Sequence, residues 1–344
     1  MRVLIAPDCF GGTLTAREAA DAIATGWREA KPDDVVVERP LADGGPGFVD
    51  VLHAALGGDI RYITVTGPLG KPVEARWLQH DGSAYIESAE ACGLHLIPAE
   101  LRPESCETAT TRGVGELIAA AAVDNDVITI GLGGSATTDG GAGMLAALAD
   151  PETGAAVDLT DISLVAASDV ENPLLGPHGA ARTFGPQKGA SPEAVERLEA
   201  KLAAMDVLKP VSDISGAGAA GGLGAALLSL GATVRSGAGL VRELTGLDAA
   251  IADADVVVTG EGSFDWQSLR GKLITAVAGG AAERGLPCIA IAGQVSVGRR
   301  EMAAAGVQQA YSVSEHVGSV QKSIADARKS LIATAQHVAR QWST

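Results

Sequence analysis

RVLIAPDCFGGTLTAREAADAIATGWREAKPDDVVVE, residues 2–38, reads as strand, helix and strand in succession. The apolar run 2–6 stops at Pro7-Asp8. Residues 15–30 form an Ala-rich helix with Thr15 at the N-cap and Glu18 three residues on. Each of those side chains can satisfy the other's backbone N–H, a capping box. Pro32 ends the helix, and the β-branched run DVVVE at 34–38 is a second strand. Such a unit points to an α/β protein with a parallel sheet.

The same rhythm recurs along the chain, with one interruption. LADGG (41–45) leads into a helix over 48–56. The stretch ITVTGPLGKPVEARWLQHDGSAYIES (63–88) alternates and carries two turn signals, which reads as an antiparallel meander. A helix over 114–122, a strand over 127–131, the loop GLGGSATTDGG (131–141) and a helix from 142 follow. A strand over 164–167 ends at Ser168-Asp169, and a charged amphipathic helix over 191–205 has Pro192 in its first turn. GAGAAGGLGAALLSLG (216–231) reads as a Gly-rich turn entering a buried helix. From Asp255 the rhythm is cleaner, and strands DADVVVTGEG, PCIAIAGQ and VQQAYSVSE alternate with helices over 273–284, 299–305 and 319–341. The expected architecture is therefore two-domain α/β. Residues 1–63 and 240–344 form a discontinuous Rossmann-like or flavodoxin-like parallel-sheet domain, and 64–239 form an inserted mixed α/β domain.

Composition agrees with that reading. A chain of 344 residues suggests two domains, and its 47% hydrophobic content is ample for cores of Ala, Val, Leu and Ile. Forty-two acidic residues against 26 basic ones give a net charge of −16, with no Lys/Arg run, which argues against a nucleic-acid partner. No apolar stretch reaches the ~18 residues a membrane span needs. MRVLIAPD at the start is a strand rather than a signal peptide. Cys9, Cys92, Cys106 and Cys288 form no CxxC pair and have no His cluster beside them, so a zinc site is not expected. Four such thiols suit a reducing compartment, and the expected location is the cytoplasm.

Four predicted strands end in a carboxylate: Asp8, Asp43, Asp169 and Glu261. Ligands of open α/β sheets bind outside the carboxyl ends of the strands. A carboxylate there can hold Mg²⁺ or take a proton from a hydroxyl. Asp also simply suits turns, but four at strand ends favour a ligand role for the set. The loop 131–141 joins a strand to a helix, and Gly133 and Gly134 would let backbone N–H groups approach an anion without Cβ obstruction. Ser135 and Thr137 add hydroxyls and Asp139 a carboxylate. The loop matches neither the Walker pattern nor a dinucleotide fingerprint. EGSFDWQS (261–268) presents Glu261, Asp265, Gln267 and Ser268, with Lys272 following. Lys272 stands near a helix start, where the dipole disfavours a cation, so a ligand role suits it better. GPQKG (185–189) offers Lys188 from a rigid loop. Asp139, Glu261 and Asp265 are the candidate metal ligands. The six His residues are scattered and suggest no nucleophilic triad.

Taken together the loops resemble the type-1 glycerate kinase family of bacteria. The similarity runs through LIAPD, LTAREAADAI, PLADGG, VTGPLGKPVEA, GLHLIP, TTRGVGELI, IGLGGSATTDGGAGML, DVENPLLGP, FGPQKGA, GAGAAGGLGAAL and VVVTGEGSFDWQSLRGK, which span essentially the whole chain. The resemblance implies ATP-dependent phosphorylation of D-glycerate, usually at the 2-hydroxyl, with Mg²⁺, in a cleft between two α/β domains. It implies Asp169 as the leading candidate for activating the acceptor hydroxyl, with Asp8 and Asp43 next. Phosphates or the glycerate carboxylate would fall to Gly133, Gly134, Ser135, Thr137, Lys188, Gln267, Ser268 and Lys272. The partners implied are a nucleotide and a small hydroxy acid, and the chain is expected as a monomer or homodimer.

Five positions depart from the family pattern, which has Ser, Lys, Glu, Asn and Arg where this chain has Cys9, Gly11, Pro46, Thr138 and Ser263. They lie inside the motifs. Two other readings therefore stand beside glycerate phosphorylation: a kinase of the same fold acting on a different small hydroxy compound, and a catalytically weak ligand-binding paralogue.

Overall fold

A computed structural model describes residues 1–149, 156–266, 268–269 and 273–342. Its strands, in chain order, are β1 (Arg2–Pro7), β2 (Val35–Glu38), β3 (Asp59–Thr66), β4 (Pro72–His80), β5 (Ser83–Glu87), β6 (Val127–Gly131), β7 (Ser163–Ala167), β8 (Thr233–Arg235), β9 (Val256–Phe264), β10 (Cys288–Val295) and β11 (Gln309–Ser312). They form two sheets, ordered β11-β10-β9-β1-β2 and β3-β4-β5-β6-β7-β8. The chain divides into two units, one of Met1–Ala42, Asp50–Ala55 and Ala238–Thr344, the other of Asp43–Val49 and Leu56–Gly237.

The first unit holds the five-stranded sheet, every pair of which is parallel. From β1 the chain moves outward to β2; from β9 it moves outward in the opposite direction, to β10 and β11. The β1/β9 boundary is thus a topological switch point, where the loops leaving the two strands diverge and open a crevice. One face of the sheet packs Val3, Ile5, Val258 and Ile291 against Ile23 and Trp27 of the helix Ala16–Ala30 and Leu331 and Val338 of the helix Ala327–Gln341. The capping box forms as expected: Thr15 Oγ1 accepts from Glu18 N–H at 3.2 Å, and Glu18 Oε2 accepts from Thr15 N–H at 2.9 Å.

Two expectations for this unit are corrected. The C-terminal helix is not continuous over 319–341. It breaks into Val320–Ala325 and Ala327–Gln341, because Asp326 adopts φ −139° and its carboxylate accepts from Lys329 N–H, starting a new helix. The last strand ends earlier, at Ser312, whose hydroxyl accepts from Glu315 N–H and starts the helix Val313–Val317. Capping residues inside an apolar run thus outrank its periodicity.

The second unit is mixed, as expected. β3, β4 and β5 pair antiparallel, while β5 to β8 are parallel. The meander starts at Asp59 rather than at residue 63. Its third strand is also the first of the parallel set. That pairing puts Glu87, Gly131, Ala167 and Arg235 in register across four strand ends. The core beneath is aliphatic, with Ile86, Leu117, Ile118, Ile128, Ile130 and Leu223 buried. Among the described residues, no helix is long and apolar enough to cross a membrane.

Candidate active site

In the first unit, chemistry gathers at the switch point. Asp8 follows β1, half-buried; its Oδ1 accepts from Cys9 N–H at 2.6 Å, and its own N–H donates to Gly260 O at 2.8 Å. Glu261 lies within β9 rather than after it, because the strand continues to Phe264. Its neighbour Gly260 is level with Pro7 on β1, so Asp8 and Glu261 emerge from adjacent strands. Glu261 and Asp265 line one cavity of about 420 Å³ together with Cys9, Gly11, Ser263 and Gln294. Val313, Val320 and Leu331 close its apolar side. Ser268 is fully buried and ties the 263–268 turn, donating to Ser263 O at 3.2 Å and accepting from Asp265 N–H at 3.2 Å. Gln267 and Lys272 lie outside the described residues.

In the second unit, the residues at the carboxyl end of the parallel strands are covered by the 43–47 loop. Gly44 adopts φ +90°, and a Cβ there would stand 2.7 Å from Ala167 O. The glycines of the 131–141 loop serve this packing. A Cβ on Gly131 would meet Gly44 O at 2.4 Å, one on Gly133 would meet Gly45 Cα at 2.4 Å, and one on Gly134 the Pro46 ring at 2.8 Å. Gly133 N–H donates to Gly44 O at 3.0 Å, and Ala136 N–H to Cys92 O at 2.8 Å. The open anion cradle expected from the sequence is therefore largely filled by protein: those N–H groups already have acceptors, and the space beside the glycines is occupied. Thr137 is fully buried under the loop.

Asp139, expected from the sequence as a metal ligand, is surrounded by donors of the protein itself. Its Oδ1 accepts from Gly141 N–H, and its Oδ2 from Thr111 N–H, Thr111 Oγ1 and Gly143 N–H, all at 2.8–3.1 Å. Four donors fill a carboxylate's capacity. Asp139 caps the helix Ala142–Ala149 and fixes it to Thr111; a metal there would have to displace those donors.

Lys188 is 3% exposed. Its Nζ donates to Ser135 Oγ at 2.9 Å and to Thr137 O at 2.6 Å, so it clasps the Gly-rich loop from within. Burial pulls the ammonium down to about 8, against the pull of Cys92 and Asp139. It remains mostly charged at neutral pH. Cys92, pushed up to about 12 by burial, is a neutral thiol beside it. Gly133, Gly134, Ser135, Gln187 and Lys188 line a second cavity of about 260 Å³, walled by Leu94, Val170 and Phe184.

Asp43 and Asp169 stand at the same sheet end. Asp43 Oδ1 accepts from Gly45 N–H at 3.1 Å, closing a tight turn. Asp169 is exposed, and its Oδ1 accepts from Ser236 Oγ at 2.6 Å. The next residue, Gly237, lies against Asp43, where a Cβ would stand 2.0 Å from Asp43 O. The four strand-end carboxylates thus fall into two pairs, Asp8 with Glu261 in one unit and Asp43 with Asp169 in the other.

Sequence reasoning missed Glu87. It ends β5, is 4% exposed, and accepts from Gly47 N–H at 2.9 Å. Desolvation pushes its carboxyl up to about 8, helped by Glu90 and opposed by the N–H groups of Gly47 and Val49. The available signal was the same strand-then-carboxylate pattern seen at the other four sites, here hidden inside the alternating stretch.

Comparison with known proteins accounts for the whole chain. The sequence model of the Glycerate kinase family matches residues 3–153 and 151–343. The chain is 40% identical to the glycerate 2-kinase of Escherichia coli (strain K12), over 98% of this chain and 97% of that protein. It is 48% identical to an uncharacterized protein of Mycobacterium bovis, over 98% of this chain and 91% of that one. A crystal structure assigned to glycerate kinase 2 of Salmonella typhimurium LT2 superposes with a TM-score of 0.77 at 39% identity, covering 99% of this chain and 98% of that one. Sequence blocks, fold and full-length likeness agree: this chain belongs to the glycerate kinase family.

Proposed function

We propose that this chain transfers the γ-phosphoryl group of ATP to the 2-hydroxyl of D-glycerate, giving 2-phosphoglycerate, with Mg²⁺ as the accompanying cation. The observation that carries this reading is the full-length relation to a glycerate 2-kinase at 40% identity. The transfer needs charged groups to hold anions and a carboxylate to take the acceptor's proton. Lys188, buried in the wall of the smaller cavity beside Gln187, supplies positive charge toward an anionic group there, either the glycerate carboxylate or a phosphate. Gly133, Gly134 and Ser135 shape that cavity, and the Thr137 carbonyl accepts from Lys188 and holds it in place. Asp169 receives the proton as the hydroxyl oxygen bonds to the γ-phosphorus and the bond to the β-phosphate breaks. Asp169 is exposed at this sheet end, where its carboxylate can reach a bound hydroxyl, and its Oδ1 accepts from Ser236 Oγ. Asp43, in the same cluster, orients the acceptor.

The donor set fits Mg²⁺ as kinases use it. Magnesium binds through one or two carboxylates plus substrate phosphates rather than in an all-protein cage. Glu261 and Asp265, facing one cavity, supply such a pair, with Asp8 just past the end of the adjacent strand β1. Among the described residues no three His, Cys, Asp or Glu come together as a closed metal site. When bound, the ion would neutralise charge developing on the phosphates.

A melting-temperature series with ATP-Mg²⁺ and a panel of hydroxy acids tests the assignment, since a ligand of the native state raises the transition by mass action. Upward shifts with both ATP-Mg²⁺ and D-glycerate, followed by turnover, are the expected outcome. Shifts without turnover would favour the weak paralogue.

One observation favours a second reading, a different acceptor. Three of the five departures, Cys9, Gly11 and Ser263, line the same cavity. Nothing lies within 4 Å of a Cβ built at Gly11, so a side chain can leave the backbone there without a clash at Cβ. If the departures matter, Gly11→Lys with Ser263→Arg raises kcat/KM for D-glycerate by about tenfold to a hundredfold, the worth of one charge-assisted hydrogen bond. No gain would retire the second reading.

A further inference from the structure

The 43–47 loop is pinned along one side by backbone contacts, Gly44 against Gly131 and Ala167 and Gly45 against Gly133. At its far end it enters the helix Phe48–Leu56, and there a side chain holds it. Glu87 reaches from the end of β5, with the N–H of Gly47 on its Oε2 at 2.9 Å and that of Val49 facing the same carboxyl. An acid at a helix N-terminus suits the free N–H groups there. Its place in register with Gly131, Ala167 and Arg235 makes it part of the same sheet end as Asp43 and Asp169.

We propose that Glu87 is a positioning residue for the 43–47 loop, its ionised carboxylate accepting the loop's backbone N–H groups and so fixing Asp43 at the sheet end. The catalytic consequence rests on the kinase reading above; the structural role does not. An ionised carboxylate offers acceptor sites to both N–H groups, whereas a protonated one carries an O–H that cannot face a donor. The hold is therefore proton-linked. Glu87 is buried enough to titrate near 8. The charged groups facing it are Arg76, from β4, and Glu90, from the helix Ala89–Cys92, paired to each other at 2.9 Å. Glu90 raises the Glu87 pKa and Arg76 lowers it, the repulsion outweighing the attraction.

The test has two arms on the full chain. Hydrogen exchange of peptides covering 41–52 is read at pH 6.5 and pH 9.5, corrected for the intrinsic rate, with peptides from 327–341 as the internal reference. Protection of 47–49 should rise about tenfold at the higher pH in the native chain, and the rise should vanish in Glu87→Gln. Equal corrected protection at both pH values in the native chain overturns the proposal, whether or not the variant folds. In the second arm, the ratio of native to Glu87→Gln kcat should climb with a midpoint near 8; taking the ratio cancels the opposing loss of charge on Lys188, which titrates in the same range. The variant should match the native enzyme at pH 6.5 and fall about tenfold below it at pH 9, with KM changed less than twofold. A native-to-variant ratio that stays constant with pH overturns it. Absence of any glycerate turnover by the native chain would sink the kinase reading and leave the exchange arm to decide Glu87.

Discussion

The two parallel sheet ends use glycine in opposite ways. At the β1/β9 switch point Gly11 borders open space, and carboxylates, an amide and a thiol look into a cavity of about 420 Å³. At the β5–β8 end, Gly44, Gly131 and Gly133 let one loop lie on another, backbone to backbone, and the polar groups Glu87, Asp139 and Lys188 are sealed beneath. One end is built as a vessel and the other as a tightly keyed frame. The same residue type, read from sequence, does not distinguish them; the neighbours do.

The strongest way to break this comparison is at Asp169, the exposed carboxylate of the keyed end. Asp169→Asn should lower kcat about 10²-fold or more with the melting temperature little changed, as loss of a general base does. A loss confined to KM would assign it to substrate positioning instead.

Next in size is a matched pair of glycine substitutions. Gly133→Ala drives a methyl to 2.4 Å from Gly45 Cα, backbone that cannot swing aside, and should cost about 1–3 kcal/mol as overpacking does. Gly11→Ala meets nothing within 4 Å and should change stability by less than about 0.5 kcal/mol. Denaturant midpoints measure both. Equal costs would erase the distinction between the two ends.

The buried ionisable groups of the keyed end give the most diagnostic effect, since its sign differs between them. Glu87 is raised from 4.5 to about 8, so between those values the folded chain holds a proton that the unfolded chain releases. Stability from this group therefore falls as pH rises through that window. Lys188 is lowered from 10.5 to about 8, so above 8 the folded chain holds less of the proton that the unfolded chain keeps, and stability rises with pH up to 10.5. Each slope is at most about 1.4 kcal/mol per pH unit. Unfolding titrations of the native chain, Glu87→Gln and Lys188→Met should show the falling limb missing from the first variant and the rising limb missing from the second.

Much of this molecule was legible before its coordinates. Short apolar runs leading to Asp or Glu mark β1, β7 and β9, and the Thr15/Glu18 cap is written in two residues. What escaped was whatever depends on strand neighbours. Alternation in 63–88 identifies a meander but not that its last strand pairs in parallel with β6, and only that pairing brings Glu87 to the site. An acidic residue in a Gly-rich loop suits a metal as well as a helix cap, and the sequence does not show that Asp139 has four protein donors around it. Lys188 was visible as a cation on a rigid loop, while its burial beneath Ser135 and Thr137 is a tertiary fact. The helix break at Asp326 belongs to the same class as Asp139, a short acidic side chain serving the backbone rather than a ligand.

The central claim is tested most directly by incubating the purified chain with ATP, Mg²⁺ and D-glycerate and identifying the product by ³¹P NMR. The account predicts ADP and 2-phosphoglycerate in equal amounts, formed by the native chain and lost about 10²-fold or more in rate in Asp169→Asn. Folded native protein that binds ATP-Mg²⁺ yet leaves D-glycerate unphosphorylated, or that phosphorylates another hydroxy acid in preference, would contradict it.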